Sequence, residues 1–192
     1  MGLLREIVKI IFGVTSNPGA SVTVPIGTGY SVANEQEKAV EKLTKLQEEA
    51  IAKFPPKGKE TYCNFGLEYV AHGLGCHDLD NKNATCMVQH AKTLCIVMPQ
   101  NWREDSWERA VAHAQKGGFA FVGIVAPPGG AHGHVASVAA RPMELSGTWK
   151  MDVPILAQIG KAESQGFNKL SKCFLLSDKP MLKCFLWEPT NS

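Results

Sequence analysis

Two residues of this chain have the types and local settings that nucleophilic catalysis requires. Cys63 follows Thr61 and Tyr62 in KETYCNFGLEYVAHGLGC, residues 59–76, where Thr61 is the expected N-cap of a helix. The partial positive charge at a helix N-terminus stabilises a thiolate, which is the nucleophilic form of cysteine. A thiolate also needs a proton acceptor, and His134 is the best candidate because it opens a β run after the glycine-rich turn of AHGHVASV.

A third polar group usually orients the histidine of such a pair. The next predicted strand, VPILAQIG, contributes Gln158 within an otherwise apolar run. An amide oxygen can accept from the ring N–H, as an asparagine does in some cysteine proteases. The three residues therefore predict a Cys–His pair, in which the imidazole takes the thiol proton and later protonates a leaving amine.

Each residue also has an ordinary structural interpretation. Cys63 alone is consistent with a structural thiol. His134 alone is consistent with a hydrogen-bonded histidine in a turn, and Gln158 alone could cap a sheet edge. His132 competes with His134 as the base, but it lies inside the turn rather than at a strand position. His72 lies nine residues beyond Cys63 in the same predicted helix, which is too far along the axis for it to serve as the base.

A second interpretation is a metal-binding or redox module. Cys76, His77, Cys86 and His90 place four soft ligands within fifteen residues. The gap of nine residues between Cys76 and Cys86 differs from the compact cysteine pairs of most zinc sites. The leading interpretation therefore includes no metal and no other cofactor.

The six cysteines are an even number, so a disulfide is a further possibility. Cys76 and Cys86 flank a polar loop and could pair across it. Three other cysteines lie inside apolar runs, which is typical of buried thiols. They are Cys95, Cys173 and Cys184.

The pattern of elements predicts an α+β domain, with helices first and an antiparallel sheet afterwards. Helices are expected from Asn34 as the cap to Phe54, from Thr61 to Gly73 or Gly75, over 86–94, and over 105–116, where Asp105 or Ser106 is the cap. His90 and His113 lie on two of these helices and are expected to face solvent. Strands are expected in FAFVGIVA, HVASVAA, VPILAQIG, KCFLLS and LKCFLWE.

Composition limits the possible functions. The chain of 192 residues fits one domain, and 44% hydrophobic residues suffice for a core. A net charge of +2 without a basic run gives little support to a nucleic-acid partner. No apolar run is long enough for a membrane span. The segment MGLLREIVKIIFGVTS is interpreted as a short helix or strand rather than a clear signal peptide, and residues 15–33 as a strand or extended arm.

Four segments in order resemble the papain-like NlpC/P60 and CHAP superfamily of peptidoglycan amidases and endopeptidases. They are CNFGLEYVAHGLG, SWERAVAHAQKGGFAFVGIVA, GHVASVAA and VPILAQIG. In that superfamily a cysteine begins the nucleophile helix, a histidine follows a glycine on a core strand, and a polar third residue lies on the next strand. Cysteine precedes histidine here, whereas the permuted lecithin:retinol acyltransferase-like branch has the opposite order.

The resemblance covers roughly residues 58–188 and implies a single catalytic domain, with residues 1–57 as an N-terminal arm and helix. It implies hydrolysis of an amide bond in the peptide part of peptidoglycan, with Cys63, His134 and Gln158 as catalytic residues. Tyr62 stands where relatives have Asp or Gln, and we assign it to the substrate or oxyanion side beside the N–H of Cys63.

We expect such an enzyme to act at the cell wall or in the periplasm, reached by secretion or lysis, as a lysin, a remodelling enzyme or a toxin delivered to rival cells. A delivered toxin would also have an immunity or delivery protein as a partner. The alternative on the same fold is a non-catalytic wall-binding domain.

Overall fold

The computed structural model describes residues 29–57, 62–126, 133–160 and 164–189. Contacts within the chain define two units, residues 1–31 and 32–192. The elements that carry the candidate site belong to the second unit. The helix or strand predicted for residues 1–16 and most of the arm predicted for residues 15–33 lie outside the described residues.

The first helix is longer than its cap signal predicts. Helix α1 spans Gly29–Lys53 and therefore begins five residues before Asn34, so the prediction of Asn34 as the cap is wrong. Asparagine costs only a few tenths of a kcal/mol when its side chain faces water inside a helix, and no proline interrupts the turn before it. The buried stripe includes Leu43 and Ala50 together with the polar Gln47.

Three further helices match their predicted positions. Helix α2 spans Cys63–Gly73, helix α3 spans Ala84–Val97, and helix α4 spans Trp107–Ala114. Helix α3 is longer than the predicted 86–94 and is capped by Asn83, whose side chain accepts from the main-chain N of Cys86 at 2.9 Å. Ser106 caps α4 by accepting from the N of Arg109 at 3.3 Å, which confirms that prediction.

An antiparallel sheet follows the helices, which confirms the α+β class. Its six described strands lie in the order β1-β8-β2-β3-β6-β7. They are β1 Trp102–Glu104, β8 Lys183–Trp187, β2 Phe119–Ile124, β3 His134–Val138, β6 Ile155–Gln158 and β7 Gly166–Lys169. A separate hairpin pairs β4 Glu144–Ser146 with β5 Met151–Val153.

The predicted strand KCFLLS is wrong. The chain forms the short helix α5, Leu170–Cys173, and then a 3-10 segment, Leu176–Met181, that contains Pro180. Strand β7 ends at Lys169 beside β6, while β8 pairs with β1 and β2 on the other side of the sheet. The chain must therefore cross between the two sides here, and an apolar run alone does not distinguish such a crossing from a strand.

The central strand of the site, β3, is held on several sides. It pairs with β2 and β6, and α2 packs against it. The buried Gln47 of α1 donates to the hydroxyl oxygen of Ser137 and to the carbonyl oxygen of Val138, both at 2.8 Å. Helix α1, which the sequence places in an N-terminal arm and helix of residues 1–57, is thus joined to the sheet.

No helix in the described ranges combines the length and the hydrophobicity that crossing a lipid bilayer requires.

Candidate active site

His134 and Gln158 meet where β3 begins and β6 ends. The register pairs Ser137 with Ala157, so Ala136 lies opposite Gln158 and His134 is its diagonal neighbour on the same face. The Nε2 atom of His134 lies 2.9 Å from Oε1 of Gln158. The pair that the sequence predicted is therefore formed by the antiparallel register of two adjacent strands.

This hydrogen bond selects one tautomer of the histidine. The Oε1 atom of Gln158 is a carbonyl oxygen and can only accept, so Nε2 of His134 carries the hydrogen and donates. In the neutral ring the lone pair then lies on Nδ1. That nitrogen is the one able to take a proton from a nucleophile.

The surroundings of the pair are largely apolar. The Gln158 side chain is fully buried, and the Phe174 ring, also buried, lies 5.0 Å from the His134 ring. Within the described ranges, Nε2 of Gln158 has no hydrogen-bond acceptor. A buried amide is therefore kept here at some cost in stability, since a lost hydrogen bond to a buried group costs about 1–3 kcal/mol.

Cys63 is the first residue of α2, and Tyr62 is its N-cap residue. The expected cap, Thr61, lies outside the described residues. The N of Gly66 donates to the carbonyl oxygen of Tyr62 at 3.0 Å and closes the first turn. The main-chain N–H groups of the first helical residues have no acceptor within their own helix, so they can stabilise negative charge.

The first turn of α2 lies against the end of β6. A Cβ atom added to Gly66 would overlap the Ile159 side chain and come within 3.1 Å of its Cβ. Ile159 directly follows Gln158, and α2 also packs against β3. The structure thus brings the helix start that carries Cys63 to the end of the sheet where His134 and Gln158 are bonded.

Tyr62 belongs to an aromatic cluster that sequence reasoning missed. Its ring lies 6.1 Å from that of Phe65, and Phe65 stacks on Phe54 at 6.3 Å. Tyr69 contacts Phe54 edge-on at 6.2 Å. Phe65 is 50% exposed on the first turn of α2, which is a large exposed aromatic next to the candidate nucleophile. An aromatic two residues after Cys63 was the available signal.

Cys63 is buried, as are Cys76, Cys173 and Cys184, and it differs from them in lying at the start of a helix. All six cysteines are described, and no disulfide joins them, so Cys76 and Cys86 do not pair. Cys173 and Cys184 are buried, as predicted, whereas Cys95 is half-buried. Burial raises the pKa of Cys76 to about 12 and raises the pKa of Cys184 and, less strongly, of Cys95.

The predicted metal ligands do not come together in the described part of the chain. There, the three-ligand grouping that could hold a metal ion is His72, His77 and Asp80, rather than a set with Cys76, Cys86 or His90. The competing base His132 lies outside the described residues.

His113 does not face solvent, contrary to expectation. Its side chain is 13% exposed, and its Nε2 donates to the carbonyl oxygen of Trp187 at 2.9 Å. Burial lowers the pKa of His113 below its ordinary value of 6.5. His113 borders a surface cavity of about 350 Å³, which is also lined by Arg103, Arg109 and Glu188. The cavity lies between α4, β1 and the end of β8, and not at the end of the sheet where Cys63 lies.

Comparison of the chain with known protein families and with characterised proteins finds no match.

Proposed function

We propose that this protein is a cysteine hydrolase of the papain-like NlpC/P60 and CHAP type. It would cut an amide bond in the peptide part of peptidoglycan through a thioacyl-enzyme. The observation that carries the proposal is the His134–Gln158 hydrogen bond of 2.9 Å at the end of the sheet where the helix of Cys63 begins. A histidine that acts as a catalytic base usually has a polar neighbour that sets its tautomer, and the Gln158 amide is such a neighbour.

The order of elements supports the same family. A cysteine opens a helix that precedes the sheet, a histidine opens one central strand, and the amide closes the neighbouring strand. Helices followed by an antiparallel sheet are consistent with the papain-like architecture. Fold alone does not define activity, so the proposal depends on the three side chains.

The first half of the reaction forms a thioester. Nδ1 of His134 takes the thiol proton of Cys63, and Gln158 stabilises the resulting imidazolium through Nε2–H. The thiolate sulfur adds to the amide carbonyl, and its carbon becomes tetrahedral with a negative oxygen. The main-chain N–H of Cys63 and the hydroxyl of Tyr62 are proposed to bind that oxygen. The imidazolium then protonates the leaving amine as the C–N bond breaks.

The second half returns the free enzyme. Water donates a proton to Nδ1 of His134 while its oxygen adds to the thioester carbonyl. Collapse of the tetrahedral species breaks the C–S bond, and the sulfur of Cys63 is reprotonated from the imidazolium. The products are a carboxylic acid and the amine released earlier, so one water is consumed per amide bond.

The aromatic cluster of Phe54, Tyr62, Phe65 and Tyr69 is proposed to form one wall of the substrate cleft. Its exposed member, Phe65, lies on the same turn as Cys63. Aromatic faces bind apolar and peptide surfaces with little loss of side-chain entropy. This wall would hold the peptide stem and leave its scissile carbonyl at the sulfur.

The test is turnover of purified muropeptides, followed by mass spectrometry of the products. The wild-type protein is expected to release a defined pair of fragments, and Cys63→Ala is expected to release essentially none. Cys86→Ala is the matched control, because Cys86 is exposed and outside the site, and it should retain wild-type turnover. Equal turnover by the wild type and Cys63→Ala, with both folded by circular dichroism, would contradict the assignment.

A further inference from the structure

We propose that His72, His77 and Asp80 form a binding site for a zinc-type divalent cation at the end of α2 opposite to Cys63. One ligand atom from each residue lies within 4.8 Å of the other two. His72 lies nine positions beyond Cys63 in the same helix, which is about 13 Å along the axis. The proposed site is therefore separate from the catalytic residues.

A structured turn brings the two histidines together. Helix α2 ends in a Schellman motif, in which the N of Gly75 donates to the oxygen of His72 at 2.9 Å and the N of Cys76 donates to the oxygen of Ala71 at 2.9 Å. Gly75 has a φ of +93°, which glycine adopts without the steric cost of a side chain. The turn reverses the chain and sets His77 beside His72.

The atoms already lie close to the spacing that a metal requires. Nδ1 of His77 is 3.6 Å from Oδ2 of Asp80, and the rings of His72 and His77 meet edge-on with centroids 4.2 Å apart. Tetrahedral zinc with ligands at about 2.0–2.1 Å holds neighbouring ligand atoms about 3.3 Å apart. Small side-chain rotations would therefore close the site without a backbone change.

Asp80 provides an independent indication. Its Oδ1 atom is buried and has no hydrogen-bond partner among the described residues. A carboxylate with a buried oxygen that lacks a partner is costly, and a cation bound to its other oxygen, Oδ2, which faces Nδ1 of His77, would stabilise the charged group. The nearby Lys82 ammonium donates to the main-chain oxygen of Asp80, at 3.3 Å.

The loop that carries His77 and Asp80 is anchored at two other points. Cys76 is buried in the core, and Oδ2 of Asp78 accepts from Nε1 of Trp102 in β1 at 2.8 Å. The N of Asp80 donates to the oxygen of His77 at 3.3 Å. Because these bonds hold the loop, little conformational entropy remains to be lost when a metal binds.

The donor set indicates the class of metal. Two imidazoles and one carboxylate suit zinc and neighbouring transition metals, whereas calcium and magnesium prefer oxygen ligands alone. Both histidines are exposed, so a fourth coordination position faces water. This arrangement fits a site that binds the ion reversibly from solution.

The test is calorimetric titration of the full chain with zinc chloride at neutral pH, in a Cys86→Ser background that removes the exposed thiol. One zinc per chain is expected to bind. His77→Ala and Asp80→Asn are each expected to weaken binding by more than about 100-fold, since removing a ligand should exceed the 10–100-fold effect of removing a residue that only supports one. Zinc should also raise the Tm of the parent and not that of these variants.

Matched controls separate this site from other binding. His90→Ala removes a histidine of the neighbouring helix and should leave the affinity within about threefold of the parent, and magnesium should not bind. Cys63→Ala should bind zinc like the parent, which keeps this test independent of the hydrolase proposal. Failure of the parent to bind zinc stoichiometrically, or unchanged affinity in His77→Ala and Asp80→Asn, would overturn the proposal.

Discussion

His134 and Gln158 are joined by a hydrogen bond of 2.9 Å between Nε2 and Oε1, although 24 positions separate them in the chain. The bond crosses from the first residue of β3 to the last residue of β6. It ties the chemistry of the histidine to the register of the sheet. Changes to the glutamine should therefore alter the histidine without touching the nucleophile.

Replacing Gln158 should reduce catalysis more than stability. Gln158→Leu removes the acceptor that sets the tautomer, and kcat is expected to fall by about 100-fold or more while KM changes little. Gln158→Glu keeps an acceptor and should retain more activity. Its carboxylate would stabilise the imidazolium over the neutral base, so the acidic limb of the pH–rate profile should move to higher pH. An unshifted profile in Gln158→Glu would show that the residue does not act through His134.

Thiol labelling should single out Cys63. Burial raises the pKa of Cys76 to about 12 and also raises that of Cys184, so both remain protonated near pH 7. In a Cys86→Ser background, iodoacetamide is expected to alkylate Cys63 first, as read by peptide mass spectrometry. His134→Ala should slow that reaction because the proton acceptor is lost. Labelling of Cys63 no faster than of Cys76 would speak against an activated nucleophile.

Gly66 should not tolerate a methyl group. A helix interior normally gains about 1 kcal/mol from Gly→Ala, but here the new Cβ would overlap Ile159. We expect Gly66→Ala to lower the free energy of unfolding by about 1 kcal/mol and to reduce activity, because Ile159 adjoins Gln158. Adding Ile159→Val should recover part of both losses. Gly147→Ala is the control, since among the described residues no atom beyond its chain neighbours lies within 4 Å of its added Cβ, and urea unfolding should show little change.

Acid should destabilise the fold partly through His113. Burial lowers its pKa in the folded chain, so the unfolded chain binds that proton more tightly. The contribution of neutral His113 is complete above the ordinary value of 6.5 and is lost as the pH falls below it. The pKa of His90 is also lowered, and again burial is the main cause.

Urea unfolding at pH 7.5 and pH 5 measures this effect. The wild type should lose more stability between the two pH values than His113→Gln, whose amide can still donate to the Trp187 oxygen. His90→Gln serves as the comparison for a less buried histidine. An equal loss in wild type and His113→Gln would show that another group carries the pH dependence.

Local sequence signals, such as helix caps and apolar runs, predict the helices and strands that depend on neighbouring residues. Ser106 and the glycines after α4 define that helix, and apolar runs define β2 and β8. Strand β1, the β4–β5 hairpin and β7 have only three or four residues each, too few for a recognisable alternation. The apolar run KCFLLS predicts a strand because hydrophobicity alone does not reveal which sheet positions are already occupied.

The candidate metal ligands also show that local sequence does not reveal which side chains lie together. Sequence spacing drew attention to Cys76, His77, Cys86 and His90, and only His77 belongs to the group that lies together. By its sequence position, His72 is only a distant candidate base for Cys63. The Schellman turn after α2 places it beside His77, although Gly75 by itself predicts only the end of the helix.

The sequence by itself determined the chemical types and the scaffold class: a cysteine at a helix start, a histidine at a strand start, an amide on the next predicted strand, and an α+β order. Those features follow from capping, periodicity and the intrinsic chemistry of the side chains. The tertiary structure decided which of them meet. Antiparallel register sets Gln158 diagonal to His134, and the missing Cβ of Gly66 lets α2 lie against Ile159. Such distances depend on the packing of segments far apart in the chain, which local sequence does not encode.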